Sequence, residues 1–175
     1  MKTSIATVGS ALALILAFSF VANDGVNAKD NSMKILERHQ IEHECERTVL
    51  TFMRDFEDKH GKAADLFAKN GTFNTMEGAD TIREHFEMIE ERAVVELNAL
   101  VATNILIDVV DSDHATGTSY VTHFQHRYKD ANREGPAVQP KSSSPLLKWT
   151  YEFVRVGDEW KFSDLQFGSY FVRAQ

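Results

Sequence analysis

The sequence predicts an α+β domain in which a cone-shaped, curved antiparallel sheet packs against a long N-terminal helix and two shorter helices. Up to about Asn98 the apolar residues recur with the period of a helix. After Asn98 they alternate with a period of two over four long segments. Helices followed by a run of strands are typical of α+β architecture, and a sheet closed on one side by a helix encloses a cavity.

The N-terminal segment has the features of an export signal. Met1-Lys2 gives a positive start, an apolar run covers Ala11 to Ala22, and small residues follow at Val26-Asn27-Ala28. The run is shorter than the about 20 residues of a membrane span, which disfavours the alternative of a retained anchor. We therefore expect a signal peptide at 1–28, one domain at 29–175, and a secreted or periplasmic protein.

The charge and cysteine content of the chain restrict its classes of partner and its disulfide chemistry. The chain has a formal net charge of −7 and no basic cluster, which argues against nucleic acid and, after signal cleavage, against a membrane surface. Cys45 is the single cysteine, so no intrachain disulfide forms. Because it lies in an apolar helical stripe, we interpret Cys45 as a core residue.

Three helices are predicted before the sheet. The first covers Ser32 to His60, and its apolar arc consists of Ile41, Cys45, Thr48, Val49, Phe52 and Phe56. A short helix is expected from Ala63 to Ala68. A third begins near Asp80, with an inner face of Ile82, Phe86, Ile89 and Ala93.

A turn at Asn70-Gly71 and a brief strand at Thr72–Asn74 are predicted before the long strands. The long segments are Leu100 to Val110, Thr116 to Tyr128, Trp149 to Val156 and Trp160 to Phe171, the last two joined at Gly157-Asp158. Asp130 to Pro145 contains all three prolines and is expected to be an exposed, mobile loop.

Several short motifs, in this order and spacing, carry a resemblance to a known family. They are Asp65-Leu66-Phe67-Ala68-Lys69-Asn70-Gly71-Thr72-Phe73, Thr103-Asn104, Asp113-x-Ala115-x-Gly117, Trp149-Thr150-Tyr151-Glu152-Phe153 and Gly157-Asp158-Glu159-Trp160-Lys161-Phe162-Ser163. The chain resembles the SnoaL-like branch of the nuclear-transport-factor-2-like superfamily, in particular hexachlorocyclohexane dehydrochlorinase and, more distantly, scytalone dehydratase. This resemblance implies the same cone and one small-molecule pocket.

The resemblance also implies where reactive residues would lie. In those enzymes an acid near the end of the first helix orients a His that removes a proton, and in the dehydrochlorinase an Arg stabilises the leaving group. The acid falls on Asp58, or on Glu57 if the register shifts by one, whereas the His falls on Leu100 and the Arg on Leu165. Leucine can perform neither task, so the family's own mechanism is not supported.

The candidate site therefore combines Asp58 with a histidine from another strand. The spacing of the family that the chain resembles implies that His123 faces the cavity. We expect it to replace the missing base, with Asp58 and His123 as the catalytic pair. A hydrogen-bonded core histidine is the alternative. The residues expected to line the pocket and contact a ligand are Phe73, Leu100, Val121, Trp149, Tyr151 and Leu165.

The first helix also contains a candidate metal site. His39-Gln40-Ile41-Glu42-His43 matches the His-x-x-Glu-His pattern of some zinc proteases. Both histidines lie opposite the apolar arc of their helix, so a solvated face is the better interpretation. Neither a metal nor any other cofactor is predicted.

The sequence thus favours an exported pocket protein for an apolar or ring-shaped small molecule. Its predicted chemistry is that of a cofactor-free lyase or isomerase acting by proton abstraction. The alternative is a non-catalytic ligand-binding or dimerisation domain of the same fold. A homodimer through the sheet is compatible with both functions.

Overall fold

A computed structural model describes residues 22–58, 60–92, 96–127 and 145–170. The chain forms two compact units, residues 1–37 and 38–175. In the first unit, the described residues 22–37 are helical. Most of the predicted 130–145 loop and most of the predicted signal segment lie outside the described residues.

Three helices precede the long strands. Helix α1 spans Ala22–Asp58 and so begins ten residues before the predicted start. Helix α2 covers His60–Ala63, and a 3-10 turn follows at Ala64–Leu66. The predicted helix at Ala63–Ala68 was therefore wrong, because the chain has already become extended at Phe67. Helix α3 covers Ala79–Arg92.

Six strands complete the domain. They are β1 at Phe67–Phe73, β2 at Met76–Glu77, β3 at Glu96–Val109, β4 at His114–Arg127, β5 at Leu146–Val156 and β6 at Glu159–Ser169. In the described part of the chain they form one sheet in the order β2-β1-β6-β5-β4-β3. β3 to β6 pair antiparallel in sequence order, as predicted.

The predicted α+β fold class is confirmed, and the sheet gains a parallel pair that was not predicted. Strand β1 lies parallel to β6, with Phe73 opposite Leu165. Asn74, at φ 53°, connects the two strands. Its backbone N–H donates to the Leu165 carbonyl, and its side-chain Oδ1 accepts from the backbone N–H of Phe167. The sheet is therefore mixed.

Helix α1 packs its predicted apolar arc on the sheet. Ile41, Cys45, Thr48, Val49 and Phe52 are buried, and Phe56 is half-buried. The spacing of these residues places them on one helical face, which is why burial follows a three- and four-residue repeat.

Among the described residues, no helix has the length and apolar character needed to span a membrane.

The strand pairing is irregular at several positions. In β3, Asn104 and Ile105 stand opposite the single residue Ser119, and Asn104 adopts a positive φ of 52°. Register also shifts at Glu152/Phe153 against β6. Bulges of this kind increase local twist and curvature, so we expect the sheet to bend at these positions.

Two glycines meet specific local requirements. Gly157 occupies the first central position of the two-residue β5–β6 turn at φ 63°, where a side chain would be strained. A Cβ on Gly117 would lie 2.8 Å from the Leu106 carbonyl oxygen and 3.3 Å from Tyr151. Gly117 therefore permits β3 and Tyr151 to approach β4 closely.

Candidate functional site

The face of the sheet that packs on the core brings together all six predicted lining residues. Phe73, Val121, Trp149, Tyr151 and Leu165 are buried in one apolar cluster, and Leu100 packs against it half-buried. Trp149 and Leu165 thus face helix α1, as the predicted register requires. Binding of a ligand by these six residues remains a prediction.

Phe52 of helix α1 is the centre of this cluster. Its ring lies 5.7–6.2 Å, centroid to centroid, from six aromatic rings: Phe56, Phe67, Phe73, Phe86, Trp149 and Phe162. These distances lie within the range in which aromatic pairs attract beyond the burial of area. The interior beside the sheet is accordingly aromatic and apolar.

His123 lies at the edge of this aromatic interior. It pairs across strands with Leu100, and its ring packs edge-on against Phe56 at 6.4 Å. Its Nε2 lies 3.0 Å from the Oδ1 atom of Asn98, a buried side chain on β3. His123 therefore faces the interior, as predicted, and an amide holds its ring.

The two candidate acids at the end of helix α1 differ in what is described. Glu57 Oε1 accepts a hydrogen bond of 2.5 Å from the Leu100 backbone amide on the edge strand β3. The side chain of Asp58 lies outside the described residues, so the predicted Asp58–His123 contact stays a prediction. Leu100 is the cross-strand partner of His123, so the Glu57 carboxylate binds β3 directly beside this histidine.

Sequence reasoning missed a buried pair of hydroxyl groups deeper in the interior. Ser119, directly opposite Trp149 in the register, lies 2.5 Å from the Tyr151 hydroxyl. Burial raises the pKa of Tyr151 well above its usual value, although the hydrogen bond with Ser119 acts in the opposite direction. Tyr151 thus stays protonated and can donate or accept a hydrogen bond. Side chains along β4 alternate between its two faces, so an inward-facing Val121 already implies that Ser119, two positions earlier, faces inward too.

Comparison with protein families identifies the fold. The model of the SnoaL-like domain matches residues 36–166, which is more than half of the chain. The chain belongs to the SnoaL-like family. Comparison with curated proteins gives no match.

Solved structures resemble this SnoaL-like chain in fold. A hexachlorocyclohexane dehydrochlorinase of type 2 is 15% identical, with a TM-score of 0.60 over 78% of this chain and 89% of that one. A scytalone dehydratase-like protein from Novosphingobium aromaticivorans is 22% identical, with a TM-score of 0.56 over 75% and 89%. A protein from Catenulispora acidiphila is 16% identical, with a TM-score of 0.57 over 73% and 89%. Identities this low show the fold alone.

The SnoaL-like interior contains one further unexpected feature. Trp149 and Trp160 are both buried, and the Nε1–H of each lacks a hydrogen-bond partner in the described structure. A buried donor without a partner costs about 1–3 kcal/mol. Trp149 therefore presents a hydrogen-bond donor as well as an apolar ring to the interior.

The His-x-x-Glu-His segment is solvent-facing, as predicted. The His39 side chain is 69% exposed, and its Nδ1 lies 3.0 Å from Glu42. His43 is exposed too, and both histidines border an open groove of about 360 Å³ against β3. Within the described ranges, no group of three or more His, Cys, Asp or Glu side chains is arranged to hold a metal ion.

Proposed function

We propose that this SnoaL-like protein binds an apolar or ring-shaped small molecule beside its aromatic interior and acts on it as a cofactor-free lyase or isomerase. The observation that carries the proposal is the placement of His123. Its titratable ring borders the interior, where it packs on Phe56 and is bound by a buried amide. Phe73, Leu100, Val121, Trp149, Tyr151 and Leu165 are the proposed contacts of the ligand.

The chemistry assigned to His123 is proton abstraction from a carbon next to an electron-withdrawing group. The imidazole takes the proton, and the C–H electron pair moves into the substrate, where it forms an enolate or expels a leaving group. Asp58, carried over from the family, would stabilise the imidazolium by its charge. General-base assistance of this kind is worth about 10²–10⁴-fold in rate.

Deuterium exchange tests the proposal without knowledge of the substrate. Cyclohexanone in D₂O offers an acidic C–H on an apolar ring, and mass spectrometry measures exchange at its α-carbon. We expect the protein to accelerate exchange, and His123→Gln to lower the acceleration about 10²–10⁴-fold. The matched control is His114→Gln, because His114 is exposed and pairs with Asp111. Equal rates in the wild type and His123→Gln would refute the catalytic proposal.

A non-catalytic dimerisation domain is the second candidate, and the exposed apolar residues on the outer face of the sheet are compatible with it. Leu97, Val101 and Phe124 are exposed there on β3 and β4, and Tyr120 packs on Tyr170 beside them at 5.0 Å. We propose that this outer face forms a homodimer, since apolar patches rimmed by polar residues mark interfaces. Light scattering should give a dimer mass for the wild type and a monomer mass for Val101→Lys. A monomeric wild type at about 100 μM would exclude a stable interface of ordinary size.

Export is the third part of the proposal. The charged start, apolar run and small residues before Lys29 support cleavage after Ala28 and a secreted or periplasmic location. Intact-mass analysis of the exported protein should find Lys29 as the first residue. Exported protein that still begins at Met1 would contradict cleavage.

A further inference from the structure

The solvent-facing side of helix α1 carries two histidines one helical turn apart. His39 and His43 are both exposed. Among the described residues, the one polar partner of either ring is Glu42, whose Oε2 atom lies 3.0 Å from Nδ1 of His39. Side chains four positions apart on a helix are neighbours, with about 5–6 Å between their Cβ atoms. Two imidazoles at this spacing can bind one metal ion from the same helical face.

Glu42 determines which nitrogen of His39 is available to a metal ion. Desolvation acts to raise the pKa of Glu42, but hydrogen bonds from Arg38 and His39 outweigh it and lower that pKa. An ionised carboxylate only accepts hydrogen bonds, so Nδ1 of His39 carries the proton and Nε2 of the neutral ring has the lone pair. Metal-bound histidines commonly donate their second N–H to a carboxylate, which fixes the ring and makes the ligand nitrogen more basic. His39 and Glu42 already form this arrangement.

The groove beside the two histidines favours a cation. Both rings border the open groove of about 360 Å³ against β3, and Glu42 and Glu46 line it as well. Its described lining includes no lysine or arginine, since Arg38, which pairs with Glu42, does not line it. The remaining wall is apolar and consists of Ile105, Leu106 and Ile107. Carboxylates beside such a wall attract a positive charge more strongly than they would in open water.

We propose that His39 and His43 form a binding site for a divalent transition-metal ion, with Glu42 as the residue that positions His39. Two imidazole nitrogens supply the protein ligands, and water completes the coordination shell. A site with two protein ligands is compatible with the finding that the described residues contain no ligating group of three or more. Nitrogen and oxygen donors bind Cu²⁺ more tightly than Ni²⁺ or Zn²⁺. The expected occupant is therefore Cu²⁺.

This metal site is separate from the proposed catalytic centre. His39 and His43 lie on the side of α1 opposite the arc that contains Cys45 and Phe52, which are buried. His123 borders the interior on which that arc packs. A metal ion on the outer side of the helix needs no access to the interior. Cyclohexanone exchange should therefore be the same in His39→Gln as in the wild type, and the inference does not depend on the proposed function.

Calorimetric titration of the full chain with CuCl₂ at about pH 7.5, above the ordinary pKa of imidazole, measures the affinity. We expect binding to be at least about tenfold weaker in His39→Gln and in His43→Gln, because each variant leaves a single imidazole. Glu42→Gln should weaken binding by up to about tenfold, since a neutral amide makes the ring less basic. The matched control is His114→Gln. His114 is exposed and bonded to a carboxylate three positions away, at Asp111, but has no second histidine one turn from it.

NMR locates the bound ion, because paramagnetic Cu²⁺ broadens the signals of nearby amides. Substoichiometric CuCl₂ should first broaden the signals of His39 to Glu46 and of Ile105 to Ile107. Broadening centred on any other segment would overturn the inference. So would a wild-type affinity no higher than that of the double variant His39→Gln/His43→Gln, or an equal loss in His114→Gln. Both substituted histidines are exposed, so the variants should keep the fold, and circular dichroism checks this.

Discussion

Replacement of Phe52 by alanine is the most direct test of the interior. Phe52 is 1% exposed and contacts six aromatic rings, so its removal leaves a cavity that rigid neighbours cannot fill. Phe→Ala changes in cores cost about 3–5 kcal/mol, and this degree of enclosure favours a value near 4 kcal/mol. For a domain of this size, that corresponds to a fall in Tm of roughly 8–16 °C.

Urea unfolding followed by circular dichroism measures the effect. Leu50→Ala is the control on the same helix, because Leu50 is half-exposed and its loss should cost less than about 0.5 kcal/mol. Phe52→Leu, with a smaller cavity, should lose about 1–2 kcal/mol and keeps the test valid if Phe52→Ala does not fold. A loss in Phe52→Ala no larger than in Leu50→Ala, at an unchanged m-value, would refute the central role of Phe52.

Three other outcomes follow from the structure. Dehydrochlorination of hexachlorocyclohexane should be undetectable by chloride release, since Leu100 and Leu165 occupy the positions where the family resemblance places a base and an arginine; turnover lost in Asp58→Asn would show that the alignment is wrong. Burial, and to a smaller extent Glu44, raises the pKa of Cys45 to about 12. Since the folded pKa exceeds that of the unfolded thiol, this contribution to stability is complete below about pH 8.5 and is lost as pH rises towards 12. A thiol reagent at about pH 8 should therefore label Cys45 only as fast as the protein opens, and immediate labelling would contradict burial. Gly117→Ala should destabilise by about 1–3 kcal/mol in urea unfolding, because the new Cβ would lie 2.8 Å from a backbone oxygen; wild-type stability would show that β3 can move away.

The fold was predictable where one local period governs a whole element. The arc of helix α1 follows from side-chain spacing, whereas the inward direction of Val121, Trp149 and Leu165 follows from alternation combined with the family resemblance. The structure confirms both. Strand β1 was not predictable in this way. The predicted turn at Asn70-Gly71 was wrong, because both residues lie within β1. The pairing of this strand with β6, far along the chain, depends on tertiary contacts that no local pattern contains.

The candidate site was predictable only in part, because one of its two strands departs from a regular pattern. His123 lies on a strand that keeps the spacing of the family, so its inward direction could be inferred from the resemblance. Asn98 was missed because β3 begins at Glu96, whereas the sequence pattern placed the change of period after Asn98. Beyond it, the bulge at Asn104 and Ile105 exchanges the faces of β3, which strict alternation cannot anticipate.

The exposed border of β3 has a consequence for how the protein behaves at high concentration. A long edge strand with Leu97, Val101 and Leu106 in solvent is a template on which another chain could add a strand and begin a fibril. The Glu57 carboxylate occupies the Leu100 amide along this border, and the Asn104 bulge breaks its regular spacing. The contact beside His123 therefore also removes one backbone donor from the edge on which an added strand would pair.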